Sequence, residues 1–308
     1  MLRFFGQPIC CSTTDGDGRT PLKLKFKLFF VFKSVSNFLA AALQLTSTSD
    51  IDANLNAAEE QIELASRRGA DLVGLPENFA FLGEDQKKLK IASSIYEKCN
   101  SFLVTMARRY QVVLLGGGFP VPAGDGLRTL NRAELFGKDG QSLAKYDKIH
   151  LFDVDLPEGN TYRESETIVS GSESPPVVDV PGLCKIGLSI CYDVRFPELY
   201  RDLVSKGADL LMIPAAFTAF TGKDHWQVLL QARAIENTAY VVAPAQTGRH
   251  YGRRQSHGHA MVIDPWGTVL ADAGVVQGAA IAPADKERVK RIRGQMPSLK
   301  HRKTELFS

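Results

Sequence analysis

The chain has 308 residues, 44% of them hydrophobic and 23% charged, the balance of a soluble globular protein with a large core and no need of disulfide staples. Its 37 basic and 34 acidic residues leave a formal net charge of +3 and are spread along the sequence, which argues against nucleic acid as the main partner. No apolar run is long enough to cross a bilayer, and the cysteines at 10, 11, 99, 184 and 191 form no C-x-x-C pair, which excludes a zinc ribbon or thioredoxin-like motif and suits a reducing compartment.

Residues 1–37 stand apart as an N-terminal extension. They mix Asp15, Gly16, Asp17 and Gly18 with a basic-apolar stretch over 23–33, whose apolar run at 28–32 is shorter than a signal-peptide core. Basic and hydroxyl residues suit a transit peptide; Asp15 and Asp17 do not. The expected compartment is the cytoplasm, with chloroplast or mitochondrion as the alternative if the extension directs import.

From residue 38 onward, apolar runs of buried-strand length alternate with helical periodicity. Residues 38–45 read as a strand. Residues 54–68 carry Leu55, Ala58, Ile62 and Ala65 at helical spacing and stop at Gly69. A short buried strand over 71–76 leads straight into Glu77. Residues 94–109 read as a helix, and 112–115 as a strand running into Gly116, Gly117 and Gly118. That glycine run lacks the Gly-Lys-Ser/Thr ending of a phosphate loop and reads as a turn. Residues 130–136 and 142–146 flank Lys138, Asp139 and Gly140 as a hairpin.

The second half repeats the style. Residues 185–190 form a strand leading to Cys191, and 197–206 a helix with Pro197 in its first turn. Residues 209–213 read as a strand, 226–237 as a helix, 240–243 as a strand, and 259–263 with 268–271 as a second hairpin. The basic stretch 286–293 reads as a solvated helix face. Strands occur both as β–α pairs and as hairpins, so mixed sheets are expected, and no linker divides residues 38–308. The expectation is one α/β domain.

Glu77 and Cys191 both follow short apolar strands, where α/β folds gather side chains around a ligand. Cys191 sits in a strand, sharp turn and helix start over 187–198. Such a turn exposes a nucleophile and leaves the next backbone N–H to bind an oxyanion. Taken singly, the bland readings are strong: a lone cysteine after a strand is usually an inert core thiol, and Lys148 an ordinary solvated lysine. A serine nucleophile at Ser189 would want glycine two residues on, where Cys191 stands. A cysteine–histidine pair with His225, His257 or His259 lacks a peptidase signature. His257 and His259 on one side of a strand could bind metal, but two histidines without a third ligand motif read as structural or surface groups.

The segments 75–77 (Leu-Pro-Glu), 145–151 (Lys-Tyr-Asp-Lys-Ile-His-Leu) and 190–198 (Ile-Cys-Tyr-Asp-Val-Arg-Phe-Pro-Glu) resemble the three signature segments of the nitrilase superfamily, in order and at its separations. Similarity runs over residues 38–308, including His225 and Trp226, residues 231–234 (Gln-Ala-Arg-Ala) and residues 264–267 (Asp-Pro-Trp-Gly). Residues 45–49, 246–250, 258–262 and 301–303 resemble one amidase branch. Nothing of residues 1–37 is covered.

The resemblance implies a four-layer α-β-β-α sandwich that dimerises, and a cysteine-dependent hydrolase of a small-molecule amide that works through a thioester without metal or organic cofactor, and without a nucleic-acid or membrane partner. It makes Cys191 the nucleophile, Glu77 the general acid/base, Lys148 the oxyanion-stabilising cation and Glu164 a second, positioning glutamate. Arg195, Phe217 and Thr221 fall where related amidases contact substrate, and the backbone N–H of Tyr192 would face the oxyanion. Arg195 could grip a substrate carboxylate in bidentate fashion, or form a structural pair with Asp193 or Glu198. The rival of another class is a non-catalytic binding or scaffold protein on the same fold.

Overall fold

The computed structural model describes residues 37–157 and 160–306, so the expected extension lies, apart from Asn37, outside the described residues. Chain order gives β1 (Asn37–Leu45), α1 (Ile51–Arg67), β2 (Ala70–Gly74), α2 (Asp85–Lys90), α3 (Ala92–Tyr110), β3 (Val113–Pro122), β4 (Thr129–Phe136) and β5 (Ser142–Asp147). A small hairpin of β6 (Asp153–Leu156) and β7 (Asn160–Arg163) follows. Then come β8 (Val177–Asp179), β9 (Lys185–Leu188), α4 (Pro197–Ser205), β10 (Leu210–Met212), α5 (Ala219–Asn237) and β11 (Tyr240–Ala243). The chain closes with β12 (Ala245–Arg249), β13 (Gln255–His257), β14 (Met261–Ile263), β15 (Val269–Asp272), β16 (Gly278–Asp285) and α6 (Lys286–Gln295).

Two mixed sheets result. The first runs β13-β12-β1-β2-β3-β4-β5, with β16 also antiparallel to β1; the second runs β15-β14-β11-β10-β9-β8. Successive side chains on a strand point to opposite faces, and β1 shows what that does here. Phe38, Ala40 and Ala42 enter a core shared with β9, β10, β11 and β14 of the second sheet. Ala41, Leu43 and Leu45 enter a separate core with Ala58 and Ile62 of α1 and Ile95, Cys99 and Leu103 of α3. On the far side of the second sheet, Leu203 of α4 and Trp226 and Leu230 of α5 close the first core. The layers are therefore helix, sheet, sheet, helix, as the resemblance implies.

The run Gly116, Gly117, Gly118 is not a turn. It lies inside β3, where the pairing with β4 shifts register between Gly116 and Phe119. Space explains it: a Cβ on Gly116 would lie 2.4 Å from Leu103, and one on Gly117 would lie 2.1 Å from the Leu75 carbonyl. The glycines let α3 and the chain leading to Glu77 pack onto the strand. Helix α5 begins at Ala219 rather than 226, because Thr218, Thr221 and Gly222 in its first turns mask the helical pattern. Strand β16 had no reading in sequence terms; Pro283 sits on it opposite Leu39 and is tolerated because, among the described residues, β16 pairs only with β1.

Candidate active site

The two sheets bring three chain ends together. Glu77 follows β2 of the first sheet, Lys148 follows β5, and Cys191 follows β9 of the second sheet. The sheets touch here directly, through a bridge between Ala215 and Ala245. Cys191 adopts φ +47°, a left-handed conformation uncommon for a residue with a side chain, and its N–H donates to the Pro214 carbonyl at 2.9 Å. Such a conformation costs about 1–3 kcal/mol and persists only where its surroundings fix it. Asn78, just after Glu77, is also left-handed at φ +59° and donates from its N–H to the Gly118 carbonyl at 2.6 Å.

Glu77 is buried and fully engaged. Its Oε1 accepts from Asn131 Nδ2 at 2.9 Å and Lys148 Nζ at 3.3 Å, and its Oε2 accepts the Ala216 N–H at 2.9 Å. The Cys191 thiol also hydrogen-bonds to it. Lys148 Nζ meets Glu164 Oε2 at 2.7 Å and Oε1 at 2.9 Å, and Glu164 Oε2 accepts the Phe152 N–H at 2.6 Å. One ammonium is thus shared by two carboxylates beside one thiol.

Burial alone would raise the Glu77 pKa, but Lys148, the Cys191 thiol, the Ala216 N–H and Asn131 outweigh it and hold the carboxyl below its ordinary range. Burial would likewise drive the proton off Lys148; Glu164 and Glu77 reverse this and keep its pKa raised. The Cys191 thiol is pushed well up, first by burial and then by the charge of Glu77, with Lys148 opposing. The resting set is a carboxylate, an ammonium and a protonated thiol beside that carboxylate. It can move a proton from sulfur to oxygen and hold a new negative charge near nitrogen.

Four supporting groups escaped the sequence reading. Asn131 brackets both glutamates, with Nδ2 at 2.9 Å from Glu77 and 3.5 Å from Glu164. Gln246 donates to the Glu77 carbonyl at 3.1 Å and to Ser47 Oγ at 2.8 Å. The Ala216 N–H fixes one oxygen of Glu77. Asp193, fully buried, ties the nucleophile turn to the lysine strand: Tyr146 Oη and the Ile190 N–H donate to Oδ2 at 2.8 Å each, and His150 Nδ1 lies 2.8 Å from Oδ1. The available signal for Asn131 was a polar residue at an inward position of β4, between buried Thr129 and Ala133.

These groups face a cavity of about 540 Å³, large enough for a small molecule. Tyr192, Phe217 and Thr221 line it, as do Glu77, Lys148, Glu164 and Cys191. Arg195 is one layer out. Its guanidinium lies 5.1 Å from the Phe217 ring centroid and 5.8 Å from that of Tyr192, with His225 Nδ1 at 3.4 Å. It makes no ion pair with Asp193 or Glu198 within 4.0 Å among the described residues. Ser189 is buried against Tyr200 Oη at 2.9 Å and donates to the Met212 carbonyl at 3.0 Å, so it faces away from the cavity. His257 and His259 do share a side, their rings 4.7 Å apart, but His259 holds Asp272 at 2.9 Å. Among the described residues no group of three or more metal-ligating side chains is assembled.

A family model described as carbon-nitrogen hydrolase matches residues 39–294. A Synechocystis protein named deaminated glutathione amidase is 61% identical over 266 residues, which cover 86% of this chain and 98% of that one. The crystal structure of the Caenorhabditis elegans NitFhit protein is similar with a TM-score of 0.84 at 39% identity, over 88% of this chain and 66% of that one. That of Saccharomyces cerevisiae Nit3, a member of branch 10 of the nitrilase superfamily, has a TM-score of 0.75 at 30% identity, over 85% of this chain and 94% of that one. With its fold, its site and these likenesses in agreement, the chain belongs to the carbon–nitrogen hydrolase family of the nitrilase superfamily.

Proposed function

We propose that the chain is an amidase that hydrolyses deaminated glutathione, N-(4-oxoglutaryl)-L-cysteinylglycine, to 2-oxoglutarate and Cys-Gly through a thioester on Cys191. The name carried by the Synechocystis relative supports the substrate. The observation that carries the chemistry is Lys148 Nζ held between Glu77 and Glu164, at 3.3 and 2.7 Å, beside a thiol that hydrogen-bonds to Glu77.

An unactivated amide is a poor electrophile, and a thiol with a raised pKa is a poor nucleophile until its proton leaves. Glu77 takes the proton from Cys191 Sγ as sulfur attacks the carbonyl carbon. The oxyanion that forms faces the Lys148 ammonium and the Tyr192 N–H; one such donor in an enclosed site is worth about 3 kcal/mol. The carbon–nitrogen bond then breaks, and Glu77 returns the proton to the departing amine of Cys-Gly. Water attacks the thioester and gives a proton to Glu77. The carbon–sulfur bond breaks, 2-oxoglutarate leaves and the thiol regains its hydrogen. Glu164 keeps Lys148 charged and aimed throughout. Tyr192, Phe217 and Thr221 form the substrate-facing wall, with Arg195 behind the two rings.

The same reading includes a homodimer, supported by the exposed apolar side chains Val228, Ile235 and Trp266 on and beside α5. It places the enzyme in the cytoplasm, or in the chloroplast or mitochondrion if residues 1–37 direct import. Sedimentation of the purified chain and localisation of a C-terminally tagged one test these two points.

The central test compares deaminated glutathione and α-ketoglutaramate as substrates of the native chain and of Cys191→Ala, following 2-oxoglutarate. Preferred turnover of deaminated glutathione, abolished in the variant, is the expected result. Faster turnover of α-ketoglutaramate would move the substrate to the related ω-amidase class, and turnover surviving in Cys191→Ala would overturn the mechanism.

A further inference from the structure

Most cations on the cavity wall are already spent. Lys88 meets Asp85 at 2.9 Å, Lys148 meets Glu164 at 2.7 Å, and Arg163 meets Asp155 at 2.7 Å. Arg253 is exposed. Arg254 differs from all of these. It lines the cavity half-buried and, among the described residues, has no carboxylate within 4.0 Å, although Asp85 is near enough to be felt electrostatically. That aspartate is held by Lys88 instead. The Arg254 guanidinium lies over the ring of Tyr162, 5.5 Å from its centroid. A partly desolvated cation without a close carboxylate is costly unless a ligand supplies the anion.

The second observation is what joins Arg254 to Arg195. Tyr162 packs on Phe152 at 5.2 Å, Phe152 packs on Tyr192 at 5.0 Å, and Tyr192 lies 5.8 Å from the guanidinium of Arg195. All three rings line the cavity. The wall is therefore an aromatic strip that begins at Arg254, with the Arg195 guanidinium behind the ring at its other end. An extended, flat amide with one carboxylate at either terminus matches that pattern; a primary amide with a single carboxylate engages only one end.

Resting on the amidase reading above, we propose that Arg254 binds the carboxylate on the leaving-group side of the substrate, while Arg195, behind the rings, lends its charge to the acyl side. Arg195 belongs to the nucleophile's own turn, four residues beyond Cys191, next to the half of the substrate that stays bonded to sulfur. Arg254 comes from the loop between β12 and β13 and stands at the other end of the strip. The substrate class is then a dicarboxylic acyl group joined to an amino acid or dipeptide with a free C-terminal carboxylate. Arg254 is the specificity residue that separates it from amides whose leaving group is ammonia.

The test measures kcat/KM on deaminated glutathione and on α-ketoglutaramate for the native chain, Arg254→Gln and Arg254→Lys, each checked for native circular dichroism. The ratio of the first substrate to the second falls about tenfold or more in Arg254→Gln, through KM, and recovers in part in Arg254→Lys. A ratio within twofold of native overturns the proposal, whether both activities fall together or neither does. If the native chain fails to cleave deaminated glutathione, calorimetric titration of Cys191→Ala with N-glutarylglycine and with glutaramate separates the two questions. A tenfold loss of affinity for N-glutarylglycine relative to glutaramate on adding Arg254→Gln keeps the carboxylate site while the substrate assignment falls. Equal losses, or none, end both.

Discussion

Replacing Asp193 by asparagine should damage stability and catalysis together. The carboxylate is fully buried and accepts on both oxygens: from Tyr146 Oη and the Ile190 N–H at Oδ2, both 2.8 Å, and from the His150 N–H at 3.3 Å, with His150 Nδ1 at 2.8 Å, at Oδ1. Asparagine keeps the shape, but an NH₂ at the Oδ2 position faces two donors, Tyr146 Oη and the Ile190 N–H, and one at the Oδ1 position faces the His150 N–H. The remaining bonds lose their charged acceptor and at least one donor is left facing the NH₂; with such bonds worth about 1.5–3 kcal/mol each, the expected destabilisation is about 3 kcal/mol. For a domain of this size that is a Tm fall of roughly 6–12 °C. Tyr146 and His150 flank Lys148 in sequence, so loosening them moves the ammonium off its 3.3 Å contact with Glu77. Displacements of that kind cost on the order of a hundredfold in rate. Urea unfolding followed by circular dichroism, with kcat measured on the folded fraction, reads both effects. Tyr146→Phe, which removes one donor to Asp193 and a weak acceptor of the Ile149 N–H at 3.3 Å, should lose about 1–2 kcal/mol. If Asp193→Asn costs under about 1 kcal/mol and leaves kcat within twofold, the clip between the two motifs is not what holds the site.

Gly118→Ala should lower kcat/KM about a hundredfold, because the added Cβ would lie 2.7 Å from Glu77 Cγ and 2.9 Å from Asn131 Oδ1, at a φ of +59°; normal 2-oxoglutarate release by this variant would refute the packing account. Glu164→Gln should lower kcat about tenfold or more, since Lys148 loses its nearest countercharge at 2.7 Å; an unchanged pH–rate profile would remove Glu164 from that role. The depressed carboxyl of Glu77 stays ionised below the ordinary carboxylate range, so its function as a base is present above that range and fails only as pH falls through its lowered value. Folding should give way first. Burial pulls His250 from 6.5 down to about 4, while its Nδ1 bonds the Ser47 carbonyl at 2.8 Å. Its neutral form contributes stability in full above pH 6.5, and up to about 3 kcal/mol of this is lost as pH falls from 6.5 to 4. His250→Asn should flatten the pH dependence of the urea midpoint over that window; an identical slope would show that another group sets it.

How much of this was legible in the sequence depends on how far apart the interacting residues lie. The strands that end at Glu77 and Cys191 were readable because burial on both faces leaves continuous apolar runs of strand length, and the glutamate and thiol interrupt them. Helices α1 and α3 show their stripe for the same local reason: Ala58, Ile62 and Ala65 recur at helical spacing and are buried. Strand β16 was invisible because its buried residues are only Ala280, Ala282 and Ala284, small side chains that also suit a loop. The glycine run at 116–118 was misread because the reason for it is a close approach from Leu103 and from the Leu75 carbonyl, residues that sequence periodicity cannot place.

The site divides along the same line. Cys191 and Glu77 carry a local sign, but Lys148 and Glu164 were readable only through the spacing of whole motifs, since each alone is an ordinary charged residue. Asn131 and Gln246 carry neither sign. Asn131 reaches Glu77 across 54 positions, and the Gln246 pair with Ser47 spans 199. A hydrogen bond of that reach leaves no trace in a window of ten or fifteen residues, yet a carboxylate held by four donors is what separates a base from an inert buried acid. Arg195 and Arg254 make the same point for specificity. The sequence offered Arg195 either a substrate carboxylate or a structural pair and could not choose, and it gave no sign of Arg254 at all. Only the ring-to-ring sequence Tyr162, Phe152, Tyr192 reveals that the two cations end one strip. The chemistry of a family is therefore written in motifs that a reader can find, while the choice of substrate is written in contacts between loops, and it is there, at Arg254, that the assignment to a doubly charged amide stands or falls.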